Sequence, residues 1–320
     1  MASKNRKFIR KTVLQEKLKY ITIFTAMMML LTVPIAQGAF FDNAGKSARA
    51  MGMGEVFLAS STDALGYGYN PAGLSKFKTK QLGLGYSKPI AFVSDLSSSQ
   101  INYVMPLSGT SGLGLGFSYT GIDVAYDMVI SGGYGISLSE KFALGANAKI
   151  MKWSTDSVPV TYGTGTDDGL SKTSVSLDLS AMYSFGQAFG LDNFSTGVYV
   201  KDALMPNISE SGDDGGKLPI EVGIGLMTQK NGITIAGDAA IADGVTFLKA
   251  GAESGITGSN LKIRAGFIYG SDFKDELEKA DVDFGLGYTF SSLIFDYAYN
   301  LPIALTNSGG KHFVSFGFSF

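Results

Sequence analysis

From residue 79 onward, apolar residues alternate singly with small or polar ones. Val282, Phe284, Leu286, Tyr288 and Phe290 interleave with Asp281, Asp283, Gly285, Gly287 and Thr289. Leu261, Ile263, Ala265, Phe267 and Tyr269 interleave with Lys262, Arg264 and Gly266, and the segments around 175–183 and 218–226 follow the same rule. A strand turns successive side chains to opposite faces, so each segment has one apolar face and one small or polar face. The pattern predicts fourteen strands, over 79–87, 99–107, 112–120, 128–138, 142–153, 173–185, 194–202, 217–227, 232–241, 245–252, 261–270, 281–290, 293–300 and 311–320. Gly and Ala blur the alternation in 128–138 and 245–252. Long connections (88–98, 154–172, 203–216, 271–280, 301–310) alternate with short ones such as 108–111, 139–141 and 291–292. Long loops at one end and short turns at the other are how outer-membrane barrels are arranged.

A soluble sandwich also alternates, so composition decides between the two. Charged residues are 17% of the chain against about 25% in ordinary soluble domains, with 45% hydrophobic residues and 42 Gly. A sandwich would need more charge on its outer faces. A barrel in lipid turns its apolar face to hydrocarbon and must close, because an open edge leaves backbone donors unpaired there. The predicted fold is therefore all-β: a transmembrane antiparallel barrel of about fourteen strands.

The first 77 residues do not alternate. Residues 1–38 carry seven basic residues ahead of an uncharged stretch from Ile21 to Ala36, followed by small residues at Ala36 and Gly38. This describes a cleaved secretory signal peptide rather than a spanning helix, which needs about 20 apolar residues. The leader holds seven of the 26 basic residues and one of the 28 acidic ones, so its removal takes the net charge from −2 to −8. That balance argues against a nucleic-acid partner, which needs a basic face. Residues 39–77 have helix-like starts near Ala44–Met51 and Ser61–Tyr67, then Asn70-Pro71-Ala72-Gly73. Pro71 pushes Asn70 toward an extended backbone, and Gly73 is expected to allow a turn before the first strand. A fourteen-stranded barrel is wider than its own side chains fill, so this segment is expected to sit in the lumen as a helical plug, with the barrel spanning 78–320.

Chemistry is sparse. With no Cys and one His, thiolate and histidine-cluster metal sites are excluded, and a Ser–His hydrolase would have to use His312. No enzyme activity, metal or cofactor is expected. Asp167-Asp168-Gly169 and Asp213-Asp214-Gly215 read as solvated outer turns, and Asp272–Lys279 as a charged amphipathic turn of helix. Nine polar residues fall on the inward parity: Asn147, Lys149, Asp178, Glu221, Asp238, Lys262, Arg264, Asp283 and Asp296. Their signs are mixed, unlike a porin with one dominant lumenal charge. Trp153 suits either an apolar pocket or an interfacial anchor.

Two stretches resemble known proteins. Lys311–Phe320 places Val314, Phe316, Phe318 and Phe320 on one face, which resembles the C-terminal β-signal recognised by barrel-assembly machinery. Ala48-Arg49-Ala50-Met51-Gly52-Met53-Gly54, Asp63-Ala64 and Asn70-Pro71-Ala72-Gly73-Leu74 resemble the N-terminal region of PorV/PorQ-type proteins, a branch of the FadL-like outer-membrane barrels. The resemblance implies an outer-membrane location and a fourteen-stranded barrel. It also implies a hatch in which Asn70, Pro71, Ala72 and Gly73 take part in gating. Three functions remain open: a passive channel for small hydrophobic molecules, a PorV-like secretion component that holds secreted cargo, and a barrel without a transport role.

Overall fold

The computed structural model describes residues 46–89, 95–156, 158–159, 166–167, 169–209, 212, 216–272, 278–303 and 309–320. The expected leader, Asp168, Asp213–Gly215 and most of the 272–279 segment lie outside them.

The barrel strands are β1 (Gln81–Lys88), β2 (Ser97–Pro106), β3 (Ser111–Ile122), β4 (Ala125–Ser137) and β5 (Phe142–Thr155), then β8 (Ser171–Ala188) to β16 (Lys311–Ser319). Between them, β6 (Val158–Pro159) and β7 (Thr166–Asp167) form a separate two-residue pair. The remaining strands are β9 (Leu191–Lys201), β10 (Glu221–Lys230), β11 (Ile233–Ala242), β12 (Val245–Gly255), β13 (Leu261–Asp272), β14 (Glu278–Phe290) and β15 (Leu293–Pro302). Every neighbour is antiparallel and β1 pairs with β16, so fourteen strands close into a barrel. Each predicted segment corresponds to one of these strands.

The faces are inverted relative to a soluble protein. On β14, Asp283 is fully buried while Phe284 is 53% exposed. Leu115, Val175 and Ile235 are likewise exposed on the outer wall. Such a belt is suited to hydrocarbon, and the closed sheet leaves no strand edge open. Phe316, Phe318 and Phe320 lie on this outer face, and Phe320 stacks on Tyr103.

The alternation of long and short connections is less regular than the sequence implies. Two turns on the long-loop side have only two residues, at 123–124 and Asp243-Gly244. Asp243 and Gly244 both adopt positive φ, as do Asn231 and Gly232 between β10 and β11. Asn-Gly and Asp-Gly in this conformation match the twist of a two-residue hairpin. The long connection 202–220 instead folds back on itself, with Ile208 N donating to Gly216 O at 2.7 Å.

Residues 46–77 run through the barrel interior as three short helices: α1 (Ala48–Gly52), η1 (Gly66–Gly68) and η2 (Pro71–Lys76). Their apolar side chains pack on opposite parts of the wall. Met51 clusters with Ala298 and Phe313, Val56 with Ala236, Leu74 with Val104, and Ala72 with Ala143 and Met182. Glycines in the wall let the segment approach backbone to backbone. A Cβ at Gly266 would stand 2.0 Å from Gly54 N, one at Gly145 2.1 Å from Ala72 N, and one at Gly197 2.1 Å from Leu58 O. This accounts for much of the glycine content of the inward faces.

Candidate functional site

The enclosed segment is fixed first by Asn70, which is fully buried. Its backbone is extended (φ −149°, ψ 97°), and its Oδ1 caps η2 by accepting from Ala72 N at 3.1 Å. Its Nδ2 donates to Leu58 O at 2.7 Å, joining two turns of the segment. Ala72 N also donates to Ser180 Oγ on β8 at 2.9 Å. Gly73 does not make the expected turn. It sits inside η2, where a Cβ would stand 2.5 Å from Ser61 O, so its role is close approach.

Charge fixes the segment next. Arg49 on α1 donates to Glu253 through Nε at 3.0 Å and reaches Asp63 at 3.2 Å. Arg264 meets the same Glu253 at 2.6 Å and Asp296 at 2.7 Å. Burial alone would lower the Arg49 pKa, but Glu253 and Asp63 outweigh it and hold the guanidinium above its ordinary value. Nearby, Glu55 is held by Lys46 and, at 2.9 Å, by Lys249. Asp238 accepts from the amides of Phe57 and Leu58 at 3.0 and 3.2 Å. Tyr67 shares a 2.6 Å hydrogen bond with Ser131, and burial pushes its hydroxyl up to about 12.

Against the segment, toward the long-loop end of the barrel, lies a cavity of about 740 Å³. Its lining includes apolar side chains from distant parts of the barrel, Val129, Met151, Leu218, Phe247 and Ile268. Met151 and Leu218 cluster with Ile208 from the folded 202–220 connection. Paired charges stand among them. Lys149 contacts Asp178 and Asp202, both at 2.7 Å, and Lys201 contacts Glu221 at 3.6 Å. Tyr199 donates a hydrogen bond to Glu221.

The nine inward-parity candidates fall into separate groups. Asn147 joins Lys149 and Asp178 through a 3.2 Å hydrogen bond, and with Glu221 and Asp238 they line the cavity. Arg264, Asp296 and Lys262 belong to the Glu253 group, where Lys262 Nζ is 3.4 Å from Glu253 and its side chain is 43% exposed. Asp283 stands outside both groups' ion pairs and accepts from Asn300 at 2.8 Å. Trp153 joins the apolar cluster and donates through Nε1 to Ile208 O at 2.6 Å. His312 is exposed on the outer wall, with Nδ1 2.8 Å from the Tyr297 hydroxyl. Among the described residues no group of three His, Asp or Glu is arranged to hold a metal ion.

Glu253, Lys249, Glu55 and Arg49 were not among the sequence candidates, although they carry most of the ion pairs between segment and wall. The signal was present but faint: Lys249, Gly251 and Glu253 share one parity on β12, where Gly and Ala blur the alternation.

The architecture is similar to that of several solved barrels. CymD, a monoaromatic hydrocarbon channel, matches with TM-score 0.62 and 14% identity over 86% of this chain and 97% of its own. The toluene transporter TbuX of Ralstonia pickettii matches with TM-score 0.63 and 12% identity over 88% and 100%. A FadL homologue of Pseudomonas aeruginosa matches with TM-score 0.57 and 12% identity over 90% and 97%. At these identities the likeness carries the fold. It accords with the FadL-like part of the resemblance in residues 48–74, and the PorV/PorQ branch finds no support in it. No protein-family model matches the chain. No curated protein matches it either.

Proposed function

We propose that this protein is an outer-membrane channel that passively transports small hydrophobic molecules, with residues 46–77 as a hatch across its lumen. The observation that carries this reading is the 740 Å³ cavity, which is lined in part by apolar side chains and lies directly against the enclosed segment. A volume of that size accommodates a small ligand, and pockets for such ligands combine apolar walls with a few polar groups. The similarity to hydrocarbon channels supports the same reading. Solute would enter from the long-loop side, rest in the cavity, and pass when the turn at Asn70, Pro71, Ala72 and Gly73 shifts. The leader would direct export, and the strand ending in Phe316, Phe318 and Phe320 would engage the barrel-assembly machinery. A role in holding secreted cargo has no comparable observation in its favour.

The chain has no Cys, so a single engineered pair gives a clean test. Ala72 and Ala143 pack together across the segment–wall contact. Ala72→Cys with Ala143→Cys is expected to block flux of a small aromatic probe when oxidised and restore it on reduction. The assay uses vesicles with a lipopolysaccharide outer leaflet, which slows unassisted entry. Flux no greater than in protein-free vesicles removes the channel reading, and flux indifferent to the disulfide removes the hatch.

A further inference from the structure

We propose that the outer wall binds the phosphate of an outer-leaflet lipid headgroup across the barrel seam, through Lys88 of β1 and His312 of β16. This rests on the outer-membrane location and not on transport. In the register of the seam Lys88 lies opposite His312, and His312 lies opposite Tyr299 of β15. The next outward-facing row toward the short-turn end is Tyr86, Val314 and Tyr297, and the one after it is Leu84, Phe316 and Phe295. Over three rows the outer face passes from hydrocarbon side chains through tyrosine to Lys and His. A bilayer passes from acyl chains to headgroups in the same order. The depth agrees as well. Phe320 and His312 are eight residues apart, which is about 27 Å along an extended strand and less along a tilted one, against an apolar band of about 25 Å.

The top row has the donors that a phosphate needs. His312 is exposed, and its Nδ1 stands 2.8 Å from the Tyr297 hydroxyl. That bond and the Tyr299 ring, 5.1 Å away between centroids, hold the imidazole in place. In the tautomer whose Nδ1 accepts from the hydroxyl, Nε2 carries the proton and donates outward. Lys88 already has a contact within the chain, and an ammonium has three donors to share. Residues directly opposite in an antiparallel pair have Cβ atoms about 4.5–5.5 Å apart, so one phosphate reaches both side chains. Among the described strand residues, no Asp or Glu points outward on the long-loop half of the wall, so none repels an anion there. Lys152 of β5 also faces outward at that end, but its register partners are Met128 and Thr173. It lacks a second donor of this kind across the strand pair and serves as the control.

Native mass spectrometry of the full barrel counts bound lipid directly. The barrel is titrated with diphosphoryl lipid A and with the same glycolipid stripped of both phosphates. The phosphorylated lipid is expected to bind at least about fivefold tighter. Lys88→Gln combined with His312→Gln removes that preference, and Lys152→Gln keeps it. Because the phosphate joins the first strand to the last, it also raises the temperature at which the folded barrel unfolds on SDS gels, and the double variant loses this rise. Equal affinity for the two lipids overturns the inference, and so does a preference that the double variant retains. Displacement of the lipid by an equal concentration of inorganic phosphate shows a free-anion site and overturns the lipid assignment. If the double variant does not fold, His312→Gln alone is expected to lose part of the preference, and an undiminished preference overturns the inference. Neither Lys88 nor His312 lines the cavity, so each of these failures leaves the transport reading standing.

Discussion

Glycine is the residue on which the interior depends most. The Cβ of an alanine at Gly266 would fall 2.0 Å from Gly54 N and 2.3 Å from Met53 C, and backbone atoms cannot rotate aside. Gly132 faces outward, and a methyl group added there would have nothing within 4 Å. Gly266→Ala is therefore expected to cost about 1–3 kcal/mol and Gly132→Ala to be nearly neutral. Thermal midpoints, together with protease cleavage within 46–77, measure the difference, and equal effects would refute the close-approach argument. The sequence reads an inward glycine as a small residue on the polar face. It does not reveal which glycines meet the segment, because that contact joins positions as far apart in the chain as Gly54 and Gly266. Asn70 was legible through its motif, whereas the second bond of its side chain, to Leu58 O, was not.

Among elements, the strands were the legible part. Apolar side chains face hydrocarbon and small or charged ones face the interior, so period-two alternation survives with little noise from tertiary packing. Where both faces hold small residues, as on β12, the register of charges was hidden, and with it Glu253. This residue joins α1 to β13 through Arg49 and Arg264. The helices were only roughly legible, since a five-residue helix such as Ala48–Gly52 is too short to show a period. Glu253→Gln leaves the buried Arg264 and the partly exposed Arg49 with one carboxylate each, Asp296 and Asp63, so the cost is expected to fall below the roughly 3–5 kcal/mol of breaking a fully buried pair. Amide exchange is expected to quicken in residues 48–56 while the β3–β5 wall stays protected. Uniform acceleration over the whole barrel would deny α1 this specific anchor.

For the whole molecule, closure is the property that matters. Fourteen hydrogen-bonded strands without an edge resist detergent unfolding until heated, so unboiled protein is expected to migrate faster than boiled protein on SDS gels. A single band, unchanged by boiling, would contradict the closed barrel. The closure also has a bearing on time. The seam is β1 against β16, with Leu82 opposite Phe318 and Phe320 N donating to Lys80 O at 3.0 Å. The last strand in the chain thus seals the wall beside the first, and residues 46–77 lie inside that wall. During biogenesis the enclosed segment must take its place while the cylinder is still an open sheet, before the seam zips shut. The enclosed segment is in that sense a passenger of assembly, boarded early and shut in by the final strand.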